Sequence, residues 1–187
     1  MSKKCLGEIT RAIYDGKHGD CEDAPGSGLY FVSVKDLKEY DIDYSEAREI
    51  TEDDFRVNYK RTNLECGDTI YANTGDTIGK SLFVRENEYI KKTSFQKSVA
   101  VIKPNREFVL DKYLYYLLQY ETPRLRAAAT GSAQKNLLLS TLRDFVVDVP
   151  DMMKQDKISK LLSAIDDKIY NNIKINDNLP PQSSMVA

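Results

Sequence analysis

The chain has 187 residues, a length that accommodates one globular domain plus an extension. Charged residues make up 30% and hydrophobic residues 41%, the balance of a folded globular chain rather than a disordered or fibrous one, and no apolar run approaches the roughly 20 residues of a membrane helix. The net charge of −2 excludes a uniform cationic coat, yet the charge is uneven: nine acids against three bases from Lys35 to Asp54, and five bases with no acid from Lys91 to Arg106, so a single positive face is still available.

The opening residues, Met1 to Leu6, carry no signal-peptide apolar region. Cys5, Cys21 and Cys66 are odd in number and lack Cys-x-x-Cys spacing, which predicts a reduced, cytoplasmic protein. Residues Gly28 to Val34 are β-branched and aromatic and follow Pro25-Gly26-Ser27, so a strand is entered from a turn. Thr51 is placed to cap a short helix carrying Phe55. Asp68 to Asn73 forms the second predicted strand, Thr74 to Gly79 a loop, Ser81 to Arg85 the third strand, and Val99 to Lys103 the fourth, ended by Pro104. Asp111 is placed to cap a helix bearing Tyr113, Leu114, Leu117 and Leu118, which Pro123 should break or restart. Ser140 should cap a short helical turn before a last strand, Phe145 to Val149.

The pattern then changes to a heptad. Ile158, Leu162, Ile165 and Ile169 follow 4-3-4 spacing, continued by Asn172, Asn176 and Leu179, with Leu161 and Ile173 widening the stripe. This predicts one helix from Lys154 to Leu179, ~39 Å long at 1.5 Å per residue. Such a helix would outreach so small a domain, and its apolar edge calls for a partner. Asparagines in a seam weaken it but fix register. Pro180-Pro181 ends the helix before a loose tail. The expected layout is a mixed α/β domain over 1–150, a small twisted mixed sheet with flanking helices, then a spacer or dimerisation helix over 151–179 and a tail over 180–187.

Most catalytic motifs fail on inspection. Gly75 to Ser81 resembles a phosphate-binding loop but has one residue too few between its glycines, and a strand rather than a helix follows. Asn178-Leu179-Pro180-Pro181 resembles an amino-methyltransferase motif, spoiled by the inserted leucine and the missing aromatic residue. Asp15-Gly16-Lys17 and Asp36-Leu37-Lys38 each match the Asp-x-Lys of a metal-dependent nuclease, a common triplet in a chain this charged, and no further acid is clearly placed after a strand. His18, the sole histidine, has no evident nucleophile to serve and makes a Cys/His metal site improbable.

Binding chemistry remains. Three polar loops, Tyr14 to Asp20, Lys92 to Ser98 and Thr130 to Asn136, are rich in hydrogen-bonding groups. Lys17, Lys97 and Lys135 can neutralise phosphates. Gln96, Gln134 and Asn136 carry the amide that pairs bidentately with adenine. Gly16, Gly19 and Gly131 would let backbone approach a ligand closely. His18 and Ser132 lie in the same loops, and Lys80 follows the Gly75/Gly79 loop.

In order along the chain these segments resemble the specificity subunit of Type I restriction–modification systems. Tyr14-Asp15-Gly16-Lys17-His18 with Gly28 to Leu37 is similar to the opening of a target recognition domain. Leu64 to Ile70, followed by Gly75 and Gly79-Lys80, resembles that family's Gly-Asp strand and loop, and Ser94 to Ile102 the strand after it. Gly131, Gln134, Asn136, Leu142 and Val149-Pro150 resemble the domain's end, and Gln155, Ile158, Ile165-Asp166 and Ile169 the start of its spacer helix. The resemblance implies a non-catalytic DNA-recognition subunit with no cofactor of its own, which reads one half of a bipartite site in double-stranded DNA. It implies an adenine methyltransferase partner using S-adenosylmethionine, and translocating restriction subunits that bring ATP and magnesium. A family member carries two recognition domains and two antiparallel helices. One of each is found here, so the chain is expected to be a half-subunit that pairs with its own copy or an exchangeable cassette, and self-pairing would impose a palindromic split site. Two other classes remain open: a small nuclease using Asp15 and Lys17, and an inhibitory interaction module built on the acidic Asp36 to Asp54 stretch.

Overall fold

The computed structural model describes residues 2–132 and 134–177. In chain order the elements are β1 (Ser2–Cys5), α1 (Leu6–Ile9), β2 (Thr10–Asp15), β3 (Tyr30–Val32), β4 (Arg48–Glu49), α2 (Glu52–Thr62), β5 (Thr69–Ala72), β6 (Ser81–Phe83), β7 (Thr93–Phe95), β8 (Val99–Pro104), α3 (Asp111–Ala128), α4 (Leu139–Asp144), β9 (Val146–Val149) and α5 (Met152–Asp177). The class is mixed α/β with a long last helix, as the sequence predicts.

An antiparallel sheet in the order β2-β8-β5-β6 forms the centre. Its strands read as continuous apolar runs because both faces are covered. On β5 and β8, Tyr71 and Ile102 enter one core with Leu6, Leu114 and Leu118, packing the sheet on α1 and α3. The alternate residues Ile70, Val99 and Val101 enter a second core with Val32, Leu37 and Phe95, as the two-residue period of a strand requires. That second core rests on a smaller sheet, β4-β3-β7, in which β3 runs antiparallel to β4 and parallel to β7. A separate pair, β1 with β9, ties the chain start to the strand that precedes α5. Where β8 meets the β5 entry turn, Lys103 Nζ donates to Asp68 Oδ2 at 2.5 Å and to the Asn63 carbonyl at 2.7 Å.

Several local expectations need correction. The hydroxyl of Thr51 does cap α2, accepting from the Asp54 N–H. Asp111, by contrast, does not cap α3: Leu110 is the N-cap, and the Asp111 carboxylate accepts from Arg106 instead. Ser140 lies inside α4, whose N-cap is Leu138. Pro123 does not break α3, which runs through it to Ala128. Gln119, whose carbonyl would have accepted from residue 123, and Pro123 itself both lie on the exposed side of the helix, where the missing bond costs less than it would in the core. Strands β1, β2, β4 and β7 were not expected. The Gly28 to Val34 run is strand only over Tyr30–Val32, and Val34–Asp36 turns as 3-10 helix.

Helix α5 is present, and its start is firmly seated. The Gln155 side chain is 1% exposed; its Oε1 accepts from the Leu110 N–H at 2.9 Å, and its Nε2 donates to the carbonyls of Phe108 at 3.0 Å and Pro150 at 2.9 Å. The helix does not project beyond the domain over its described length, contrary to the length argument. It lies along it through polar groups: Tyr116 donates to Asp166 at 2.8 Å, Arg85 pairs with Asp167 at 3.1 Å, and Lys174 reaches Asp41 at 3.6 Å. The apolar edge faces outward, with Ile165 53% and Leu161 67% exposed and Ile158, Leu162 and Ile169 also in solvent. Asn172 and Asn176 are exposed beside it. Leu179 and Pro180-Pro181 lie outside the described residues.

Candidate nucleic-acid interface

The three polar loops come from distant parts of the chain, and backbone hydrogen bonds join them. Lys17 bridges to Gln96: the Lys17 N–H donates to the Phe95 carbonyl at 2.8 Å, and the Lys97 N–H returns to the Lys17 carbonyl at 3.1 Å. The Gly16 backbone lies so close to β7 that a Cβ there would sit 1.9 Å from the Phe95 oxygen. This glycine is demanded by loop-on-loop packing, not by approach to a ligand. The third loop folds back through a Thr130–Asn136 bridge. Gly131 has φ +115° and no room for a Cβ beside the Gln134 carbonyl. Gly19, in contrast, has open space around it.

Asn73 and Thr74, at the end of β5, fasten the second and third loops together. The Asn73 N–H donates to the Ser98 carbonyl at 3.0 Å, and the Asn73 carbonyl accepts from the Leu137 N–H at 2.8 Å. The buried Asn73 amide, with its nitrogen turned toward the carbonyls it faces, donates to Ser98 at 2.7 Å and Lys97 at 3.2 Å. Thr74 pairs with Asn136, and the Gly75 N–H donates to the Lys135 carbonyl at 2.7 Å. The result is a cleft of about 330 Å³ lined by Asp15, His18, Asn73, Thr74, Lys97, Gln134, Asn136 and Leu137 to Leu139.

His18, Lys97, Gln134 and Asn136 thus line one cleft. Lys17, Lys80, Gln96, Ser132 and Lys135 are not among its lining residues. Lys17 needs a specific correction, because its ammonium is already neutralised: Nζ donates to Asp54 Oδ1 at 2.6 Å. That hydrogen bond raises the lysine above its ordinary pKa and holds the Asp54 carboxyl below its own. Asp15 is likewise engaged, since Arg61 donates to its carboxylate and His18 Nε2 lies 3.0 Å from Oδ2. Both halves of the Asp15-Gly16-Lys17 triplet are thus engaged by neighbouring side chains. Of the residues that sequence reasoning missed, Asn73 and Thr74 were legible as polar groups ending a predicted strand. Leu138 carried no such signal.

A larger cavity, about 490 Å³, lies between the tyrosines around Tyr44 and helix α5. None of the three polar loops lines it, so the candidate interface is chosen on chemistry rather than size. The lining combines the Lys97 side chain, the Asp15 carboxylate paired with Arg61, the amides of Asn73, Gln134 and Asn136, and an apolar wall of Leu137 to Leu139. The arrangement is a loop-built polar cleft on a mixed α/β module whose last helix carries exposed apolar side chains.

Comparison with known families agrees. Residues 20–180 match the family described as the Type I restriction modification DNA specificity domain, and the chain belongs to that family. It is 29% identical over 122 residues to the Type I restriction enzyme HindI specificity subunit of Haemophilus influenzae, covering 62% of this chain and 26% of that protein. It is 26% identical over 156 residues to the MjaIX specificity subunit of Methanocaldococcus jannaschii, covering 82% of this chain and 35% of that protein. A solved Type I S subunit from M. genitalium matches with TM-score 0.65 at 16% identity, over 95% of this chain and 43% of that one, a likeness of fold. The chain therefore spans only a quarter to a third of the length of these curated relatives.

Proposed function

We propose that this chain is the non-catalytic, sequence-reading part of a Type I restriction–modification complex, working on double-stranded DNA in the cytoplasm. The convergence of three distant polar loops on one amide-rich cleft carries the reading. Lys97 and Lys135 position the module on phosphates, while Gln134 and Asn136 read base edges. Gln96, Lys80, Ser132 and His18 contribute at the rim, and Lys17 acts on the loop through Asp54 rather than on DNA. The cleft reads one half of a bipartite site. The edge formed by Ile158, Leu162, Ile165 and Ile169, with Asn172 and Asn176, holds a second helix, from another copy in a homodimer, and docks the adenine methyltransferase. S-adenosylmethionine, ATP and magnesium belong to the methyltransferase and restriction subunits, and this chain supplies no cofactor ligand. The same helix would serve an inhibitory module, and that reading predicts no sequence preference.

Selection of bound duplexes from a random DNA pool, followed by fluorescence anisotropy, tests the proposal. Gln134→Ala is expected to weaken the selected sequence by about 1–3 kcal/mol more than random DNA if its contact is bidentate. Lys97→Ala is expected to weaken both alike and to lower the salt slope by about one. Selection of no sequence, or equal losses on both DNAs for Gln134→Ala, refutes base reading by this cleft.

A further inference from the structure

Leu138 occupies a position that neither helix stability nor burial explains. It is the N-cap of α4, with φ −63° and ψ 146° and no side-chain cap hydrogen bond. That position favours Ser, Thr, Asp or Asn, whose oxygens satisfy the first free N–H groups. A leucine there forgoes the cap. Its side chain gains little burial in return, because it remains 46% exposed, whereas its neighbours Leu137 and Leu142 are fully buried. It lines the cleft together with Lys97, Gln134 and Asn136. The cleft thus offers a cation, a carboxylate already paired with Arg61, the exposed amides of Gln134 and Asn136 beside the buried Asn73, and the exposed apolar side chain of Leu138.

In the major groove an A·T pair presents a matching set. Adenine N6 and N7 suit a glutamine or asparagine amide, and the thymine C5-methyl on the same edge suits an apolar contact. We infer that Leu138 reads a thymine C5-methyl group within the DNA half-site, in or next to a pair read by Gln134 or Asn136. This deepens the DNA-recognition reading and rests on it. Lys97 anchors the strand by a phosphate, and Leu138 is covered only when the correct base is present. The contact therefore adds discrimination rather than general affinity. Its size is that of one buried methyl group, about fourfold in affinity.

Thymine-to-uracil replacement removes that methyl and nothing else. The test takes the sequence selected by the full chain, replaces each thymine by uracil in turn, and measures binding by anisotropy for wild type, Leu138→Ala and Leu138→Met. Wild type is expected to lose about fourfold at one thymine position. Leu138→Ala should show no uracil penalty there, and Leu138→Met, which keeps an apolar side chain, should retain it. A thermal melt matching wild type shows that Leu138→Ala is folded. The inference is overturned if uracil is neutral at every position, if Leu138→Ala keeps the same penalty, or if the selected sequence contains no thymine in either strand. In those cases sequence-selective binding persists and DNA recognition survives. A chain that selects no sequence overturns both.

Discussion

The Asn73 amide is the best place to test whether the cleft is a constructed unit or a chance meeting of loops. Its nitrogen reaches the Ser98 carbonyl at 2.7 Å, the Lys97 carbonyl at 3.2 Å and the Thr74 hydroxyl at 3.2 Å from a position 4% exposed. Replacing Asn73 with Ala removes three donations. The Ser98 carbonyl keeps the Asn73 N–H at 3.0 Å, and Lys97 is exposed enough for water to reach its carbonyl. One good hydrogen bond and two long ones are then lost without a fully orphaned partner, a cost of about 1–2 kcal/mol. Asn73→Asp preserves shape but turns a carboxylate toward two carbonyl oxygens. It also buries an uncompensated charge, at about 3–5 kcal/mol. Urea unfolding followed by circular dichroism measures both, with an unchanged m-value marking a pure stability effect. On DNA, Asn73→Ala is expected to lose selectivity before it loses general affinity, because it loosens the Lys97-Ser98 loop, which the amide holds, without removing a charge. An Asp variant no less stable than the Ala variant would refute the donor assignment. Wild-type selectivity in Asn73→Ala would show that the loops hold their places without the clamp.

Gln155→Ala leaves the Leu110 N–H and the Phe108 and Pro150 carbonyls without their side-chain partner; a loss of about 3 kcal/mol, with faster hydrogen exchange in α5, is expected, and a loss under 1 kcal/mol would mean that α5 is seated by other contacts. Lys103→Met takes the ammonium from the Asp68 carboxylate, 1% exposed, leaving it the Glu65 N–H at 2.9 Å and the Arg11 guanidinium at 3.8 Å, at about 3 kcal/mol near neutral pH. Burial already raises the Asp68 pKa while the Lys103 hydrogen bond opposes that rise, so the variant's folded pKa climbs further; its deficit should shrink as pH falls through that raised folded value toward the ordinary carboxyl value of 3.8, below which folded and unfolded chains are both protonated, and a pH-independent deficit in urea titrations contradicts this. Ile165→Glu, at a side chain 53% exposed, should leave monomer stability within about 0.5 kcal/mol but abolish self-association in sedimentation velocity; strong destabilisation of the monomer would place that edge against its own domain.

Elements whose signal is local were readable in the sequence. The Val99 run and the Thr51-capped helix needed only periodicity and a cap, and both appear as β8 and α2. The three cleft loops were recognisable one by one from composition. Their convergence was not, because it depends on non-local pairs such as Lys17 with Gln96 and Thr74 with Asn136. The same holds for β7, whose residues Thr93–Phe95 look like loop until β3 supplies a parallel partner. Lys17 misled because a lysine in a polar loop looks available for phosphate, and only tertiary structure brings Asp54 to it. Pro123 misled because the rule against helix-interior proline assumes a carbonyl that cannot be hydrated, whereas this one faces water.

Helix α5 joins these two kinds of information. Its heptad was legible, and so was the demand for a partner. What the heptad could not reveal is that the opposite face would also be occupied. Against the domain it places Asp166, which accepts from the Tyr116 hydroxyl, and Asp167 and Lys174, whose ion pairs in water contribute little each. Gln155 and Ser159, near its start, are the residues it buries. The domain therefore orients the helix without consuming its apolar surface, and the leucine and isoleucine edge stays available for the strongest interaction it can make. A helix packed by its apolar edge would be stable and spent. One steered by polar contacts keeps its hydrophobic face free, and the proposed spacer role draws on that free face.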